Sequence, residues 1–131
     1  MARAESGRAG RVILATLITT AGITLAARPA RAQEPTAEQI AQGKAIFTGK
    51  TCWGCHGKDA KGTSNAPPLI KKSWLDADGS WASIEQTVTT GVPKPKKFAV
   101  AMPPMGGSKL TPEEIKAVAA YVYSLNQGGK K

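Results

Sequence analysis

The sequence predicts an all-α, loop-rich domain. Two segments carry helix signals: residues 36–49 place an apolar face behind a capping threonine, and residues 111–125 begin with Thr-Pro-Glu-Glu. The stretch between them is rich in Gly, Pro, Ser and Lys and gives little sign of strands. The 131 residues can hold one domain with an appendage.

The first predicted helix begins after Thr36 and ends near Gly49. Ile40, Gly43 and Phe47 then share one face. Glycine inside a helix costs about 1 kcal/mol relative to alanine. We therefore expect Gly43 to allow another helix to approach closely.

A second, short helix is expected in the middle of the chain. Ser80 or Ser83 can cap it, and it should run to about Thr90 and end at Gly91. The four prolines and three lysines of residues 92–105 predict an irregular loop.

The last helix has the clearest signals. Thr111 is its N-cap, Pro112 its first residue and Glu114 the partner in a capping box. Its apolar stripe consists of Ile115, Val118, Ala119, Val122 and Leu125. Residues 126–131 are expected to form a frayed polar tail.

The first 32 residues are typical of a secretory signal peptide. Three arginines precede an uncharged, mostly apolar segment at residues 12–27, and an Ala-x-Ala cleavage signal ends at Ala32. We expect cleavage, export to the periplasm and a working domain of residues 33–131 without a membrane span. The alternative is a membrane anchor through residues 12–27, although that run is shorter than the ~20 residues of a spanning helix.

The charge differs between leader and domain. All five arginines lie at or before Arg31, so residues 33–131 hold 13 lysines and eight acidic residues, a net charge of +5 rather than the +9 of the whole chain.

Residues 52–56 read Cys-Trp-Gly-Cys-His, which is the C-x-x-C-H signal for c-type haem attachment. The thiols of Cys52 and Cys55 can each add to a haem vinyl group and form a thioether. His56 is the single histidine of the chain and then becomes an axial ligand of the iron. The motif predicts one covalently attached haem c, and export agrees with it because such attachment takes place outside the bacterial cytoplasm.

Three other interpretations of the two cysteines are weaker. A thioredoxin-like site needs a βαβ setting, of which there is no sign. A structural zinc site needs four ligands, and two cysteines with one histidine leave it one short. A disulfide across two intervening residues would close a strained loop and leave His56 without a role.

The second axial ligand is expected to be a methionine. Electron-transfer haems usually have two protein ligands, and residues 33–131 contain only Met102 and Met105 besides His56 as candidates. Met102 is favoured because Pro103 and Pro104 fix the backbone that follows it. Met105 remains an alternative, as does a core-filling role for both methionines.

These motifs resemble those of a class I c-type cytochrome of the small bacterial kind. The resemblance covers residues 36–125 and rests on the order of the glycine-bearing helix, the haem motif, Pro67-Pro68-Leu69, Met102-Pro103-Pro104 and the final helix. It implies a cytochrome c-like fold with three to four helices around one haem. It also implies that the first and last helices cross at nearly a right angle, with Gly43 and Phe47 near Tyr121.

The resemblance also implies further site residues. A backbone carbonyl near Pro67 and Pro68 would accept the imidazole N–H of His56 and strengthen it as a donor. Trp74 and Trp81 would lie near the haem propionates, or else pack in the hydrophobic core.

The function implied is that of an exported electron carrier, not an enzyme. Its partners would be redox proteins such as a periplasmic dehydrogenase or a terminal oxidase, and no nucleic-acid partner is expected. Lysines can ring the exposed haem edge and attract an acidic partner face, or simply be solvated. These lysines are Lys50, Lys58, Lys61, Lys71, Lys72, Lys94, Lys96 and Lys97.

Two rival functions stay open. An iron without a methionine ligand can react with peroxide or a gas, which would make the protein an enzyme. The haem domain can also serve only as a fixed subunit of a dehydrogenase or oxidase complex.

Overall fold

The computed structural model describes residues 33–70 and 74–127. The chain divides into two units, Met1–Arg31 and Ala32–Lys131, and the described residues belong to the second. The signal peptide and possible anchor, together with Lys71, Lys72 and the last four residues, lie outside the described part.

The described part is helical and contains no extended strand. Its elements are α1 (Ala37–Gly49), α2 (Cys52–His56), α3 (Trp81–Thr90), a 3₁₀ turn (Pro104–Gly107) and α4 (Pro112–Ser124). A single antiparallel bridge joins Val92 to Met102. The all-α prediction is confirmed. None of the described helices combines the length and apolarity needed to cross a membrane.

Side-chain caps begin the three longer helices where the sequence predicts. The hydroxyls of Thr36 and Thr111 accept amide hydrogens inside capping boxes, and Ser80 rather than Ser83 caps α3. The α2 helix is different, because the hydroxyl of Thr51 makes no capping bond to it.

The core forms where α1 packs on α4. A Cβ added at Gly43 would lie 1.9 Å from the carbonyl oxygen of Ala117 and 2.9 Å from Cβ of Tyr121, so only glycine allows this approach. One turn later the rings of Phe47 and Tyr121 stack in a tilted pair, 5.4 Å between centroids. The expected close contact at Gly43 is thereby confirmed.

Two expectations about the loops are wrong in part. Residues 92–105 are not wholly irregular, because Val92 and Met102 exchange both backbone hydrogen bonds, at 2.8 and 3.0 Å. The polar tail is not frayed at Asn126, which is buried. Its amide Nδ2 donates to the carbonyls of Leu69 and Val122, and these contacts hold the end of α4 in place.

Candidate functional site

A mostly apolar cavity of about 210 Å³ lies next to the core. Cys52, Cys55 and His56 from α2 line it together with Met102 and Met105 from the segment before α4. Core side chains of α1, α3 and α4 complete the lining, which comprises Phe47, Ile84, Val88, Val118 and Val122. The fold thus brings both predicted ligand segments to one cavity.

His56 is oriented by one hydrogen bond. Its Nδ1 lies 2.9 Å from the carbonyl oxygen of Pro67. Because a carbonyl can only accept, Nδ1 carries the hydrogen and Nε2 keeps a free lone pair. Burial lowers the pKa of His56, and the bond to Pro67 offsets part of that effect. The imidazole is therefore neutral at neutral pH and able to bind a metal.

The loop after α2 places the Pro67 carbonyl. The amide of Gly62 donates to the carbonyl of His56 at 2.8 Å, and the hydroxyl of Thr63 donates to that of Cys55 at 2.6 Å. The amide of Thr63 in turn donates to the carbonyl of Ala66 at 3.0 Å. These bonds fold the chain back over the helix that carries the histidine.

The two cysteines are free thiols. Burial raises the pKa of the Cys52 thiol, and the neighbouring Cys55 adds to the rise. Reactive dithiols of the thioredoxin type depend on a lowered pKa, so this setting does not favour such chemistry. Within the described residues, no group of three or more His, Cys, Asp or Glu side chains can hold a metal ion.

The segment before α4 brings two methionines to the same cavity. The bridge to Val92 holds the backbone of Met102, and Gly91 lets the end of α3 approach it, since a Cβ there would lie 2.3 Å from the Met102 carbonyl oxygen. Met105 also lines the cavity but packs against the hydrophobic core. The Met102 backbone is thus held by two hydrogen bonds to Val92, whereas the Met105 side chain packs against the core.

The two tryptophans are placed differently. Trp74 lines the cavity, as do Pro67 and Pro68. Trp81 is not among the lining residues. Its indole N–H donates to the Lys116 carbonyl on α4, and the Lys116 ammonium lies 5.4 Å from the ring centroid. Trp81 therefore joins α3 to α4, which matches the packing alternative.

In the described part of the chain, few charged side chains line the cavity, and several lysines near it already have partners. Asp76 is the one Asp, Glu, Lys or Arg among the described lining residues. Lys61 forms an exposed pair with Asp59, 3.4 Å apart, and Lys58 lies 5.5 Å from the ring centroid of the exposed Trp53. Lys96 donates to the Leu75 carbonyl, which ties residues 92–102 to the segment after Trp74.

Three residues that line the cavity were not identified from the sequence, namely Thr51, Phe98 and Val100. The hydroxyl of Thr51 donates a hydrogen bond to the carbonyl of Gly106, in the turn that follows Met102. Phe98 and Val100 also line the cavity, although their proline- and lysine-rich loop shows no apolar periodicity. The local sequence carries no signal for the role of Thr51, because its hydrogen-bond partners lie more than 50 residues away.

The residues of this cavity fit a haem group. The walls are apolar, as a porphyrin requires, and two free thiols lie on the same short helix as a neutral imidazole. Two methionines also line the cavity, and their thioether belongs to the ligand class that pairs with histidine in electron-transfer haems.

Curated relatives point the same way. The protein family described as cytochrome c oxidase, cbb3-type, subunit III matches residues 38–122. The cbb3-type oxidase subunit CcoP of Rubrivivax gelatinosus is 36% identical over 99 residues, which is 76% of this chain and 30% of that protein. The subunit FixP of Bradyrhizobium sp. (strain ORS 278) is 41% identical over 92 residues, 69% of this chain and 28% of that protein. The chain spans less than a third of these relatives.

Solved structures confirm the fold. Cytochrome cL from the marine methylotroph Methylophaga aminisulfidivorans superimposes with a TM-score of 0.56 at 24% identity, covering 71% of this chain and 57% of that one. A chain of a reducing HAO-like complex from Kuenenia stuttgartiensis gives 0.54 at 21% identity, covering 72% and 47%. With the family match, they confirm the resemblance: the chain belongs to the cbb3-type cytochrome c oxidase subunit III family, and its domain is a c-type cytochrome that binds haem c covalently.

Proposed function

We propose that this chain is an exported electron carrier in which Cys52 and Cys55 hold the haem and His56 and Met102 bind its iron. When bound, the haem supplies a reversible one-electron couple. The chain's own residues orient the histidine, present the methionine and exclude water. Electrons would pass from a periplasmic donor to an oxidase or reductase, and no catalytic step on a substrate is assigned to the domain.

One observation carries the ligand assignment. The bond from His56 to Pro67 leaves Nε2 free, in the same cavity that Met102 lines. A donated Nδ1–H also makes the imidazole a stronger ligand. A histidine and a thioether that line one apolar cavity supply the two kinds of ligand that a six-coordinate electron-transfer haem uses.

Exchange of the methionines tests this assignment. Met102→Ala should remove the weak long-wavelength band that a methionine–iron bond gives in the ferric protein, and it should let the ferrous protein bind carbon monoxide. Met105→Ala is the matched control. Met105 lies in the same segment and lines the same cavity, and this variant should keep the band. The reverse pattern would assign the iron ligand to Met105, and a wild-type protein without the band would favour the enzymatic alternative.

The export of the domain is part of the proposal. The leader pattern of residues 1–32 supports cleavage before Gln33, in the compartment where haem is attached. The intact mass of the protein from the native host decides this point. A mass of residues 33–131 plus one haem supports cleavage, whereas a full-length haem protein in the membrane fraction supports an anchor through residues 12–27.

The electron partner would dock where the cavity meets the surface. Cys55, Val100, Ala101 and Pro103 line the cavity and are also exposed. Residues 92–103 beside them contain three lysines and no acidic residue. This apolar patch with positive charge nearby suits a partner with an acidic rim, so the rate of electron transfer should fall as salt rises.

A fixed subunit of a cbb3-type oxidase is the second candidate. It is favoured by the CcoP and FixP names of the relatives. Affinity purification from native membranes, followed by stopped-flow oxidation of the purified domain by a cbb3-type oxidase, separates the two. A diffusing carrier shows salt-dependent second-order oxidation and does not co-purify. A fixed subunit co-purifies in constant ratio with the oxidase.

A further inference from the structure

Thr51 joins the start of α2 to the segment that follows the two methionines. It precedes α2, but its hydroxyl donates to the carbonyl of Gly106 at 2.5 Å instead of capping the helix. The Oγ of Ser108 lies 3.0 Å from the same Thr51 oxygen. A hydroxyl has one hydrogen, and that of Thr51 goes to Gly106, so Ser108 donates to Thr51. A chain of two hydrogen bonds thus runs from Ser108 through Thr51 to Gly106.

These two hydrogen bonds hold the turn Pro104–Gly107, which has an uncommon backbone conformation. Met105, Gly106 and Gly107 all have positive φ, at 54°, 63° and 80°. A long side chain rarely adopts this left-handed conformation, and it persists where surrounding contacts impose it. The other hydrogen bonds of the turn are local, from the amide of Gly106 to Pro103 and from that of Ser108 to Met105.

Within the described residues, the side-chain hydrogen bonds that tie this turn to the start of α2 are those of Thr51. The turn begins two residues after Met102, and Thr51 directly precedes Cys52. Because the turn follows Met102 closely in the chain, a movement of the turn away from α2 can shift the methionine relative to His56.

We propose that Thr51 is a positioning residue that keeps the methionine side of the cavity closed on the haem-attachment side. The inference rests on the proposed function, because closure is visible at the iron only if Met102 is its ligand. Without the Thr51 hydroxyl the turn opens more often, and an external ligand then reaches the iron when the methionine has left.

The test compares isosteric and conservative changes at one position. Thr51→Val keeps the shape and removes the hydroxyl, whereas Thr51→Ser keeps the hydroxyl. Thr89→Val is the matched control, since that exposed hydroxyl bonds only within α3, to the carbonyl of Glu85. The readouts are carbon monoxide binding by the ferrous protein and the methionine–iron band of the ferric protein.

Thr51→Val removes both hydrogen bonds of the hydroxyl. We expect it to speed carbon monoxide binding at least roughly 2- to 10-fold, the change that one modest hydrogen bond accounts for, and to weaken the band. Thr51→Ser and Thr89→Val should match the wild type. Thermal unfolding of each variant, measured beside the binding rate, separates a general loss of stability from an effect confined to the turn.

Equal rates and bands in Thr51→Val and the wild type would overturn the proposal. If Thr51→Val does not fold, Thr51→Ala removes the same hydroxyl and should still speed binding, and an unchanged rate there would also overturn the proposal. Failure of the proposed ligand set looks different: the wild type lacks the band, or Met102→Ala keeps it.

Discussion

Single atoms decide how closely two helices pack and which nitrogen of His56 is free to bind a metal. A carbonyl at Pro67 sets the tautomer of His56, and the missing Cβ of Gly43 lets α4 pass directly over α1. Both contacts join residues distant in sequence. Neither can be exchanged for a larger or differently polarised group without moving a helix or rotating the histidine.

Gly43→Ala should lower the free energy of unfolding by about 3 kcal/mol, the upper range for an overpacked core. The new methyl group would lie 1.9 Å from the Ala117 carbonyl oxygen, and backbone cannot give way as a flexible side chain can. Gly49→Ala in the same helix is the control. Its Cβ meets nothing within 4 Å, so it should change stability by at most about 1 kcal/mol, toward stabilisation. Denaturant unfolding of the holoprotein measures both, and equal stabilities would contradict the packing argument.

At the scale of elements, the helices are held in place by ties from loops. Asn126 joins the end of α4 to Leu69, which lines the cavity. Trp81 joins α3 to α4, and the bridge between Val92 and Met102 closes the loop that carries the methionine. These hydrogen bonds join the helices and loops that surround the cavity.

Asn126→Ala should cost about 1–3 kcal/mol of stability, because the part-buried carbonyl of Leu69 and the buried carbonyl of Val122 lose their donor. Gln127→Ala is the control, since that neighbour is exposed. Thermal unfolding compares the two variants. A melting temperature for Asn126→Ala equal to that of Gln127→Ala would show that the tie contributes nothing.

Local signals explain which of these features could be predicted. Caps at Thr36 and Thr111 and the haem motif are readable because their partners lie within four residues in the sequence. Gly43 was readable because glycine is costly inside a helix. The bonds of Thr51 and Asn126 span more than 50 residues, and nothing in the local sequence indicates them. The same holds for the placement of Trp81 outside the cavity.

At the scale of the whole molecule, the cavity and the core share side chains. Phe47, Ile84, Val88 and Val118 belong to the buried cluster and also line the cavity. Haem bound there would therefore be part of the hydrophobic core rather than an addition to it. A domain of this size can build only one modest hydrophobic core, so the contribution of the cofactor should decide whether the fold is stable.

Residues 33–131 produced without haem attachment should therefore lack a cooperative unfolding transition. The lining side chains would lose their packing partner, and binding of a group to the folded state alone stabilises that state. We expect reduced helical circular dichroism, binding of a hydrophobic dye and a broad thermal profile, as in loosely packed compact states. The exported haem-bearing protein, measured in the same buffer, should unfold in one sharp step. An apoprotein that melts cooperatively within about 5 °C of the haem protein, a shift of roughly 1 kcal/mol, would mean that the helices of this chain form a complete core by themselves.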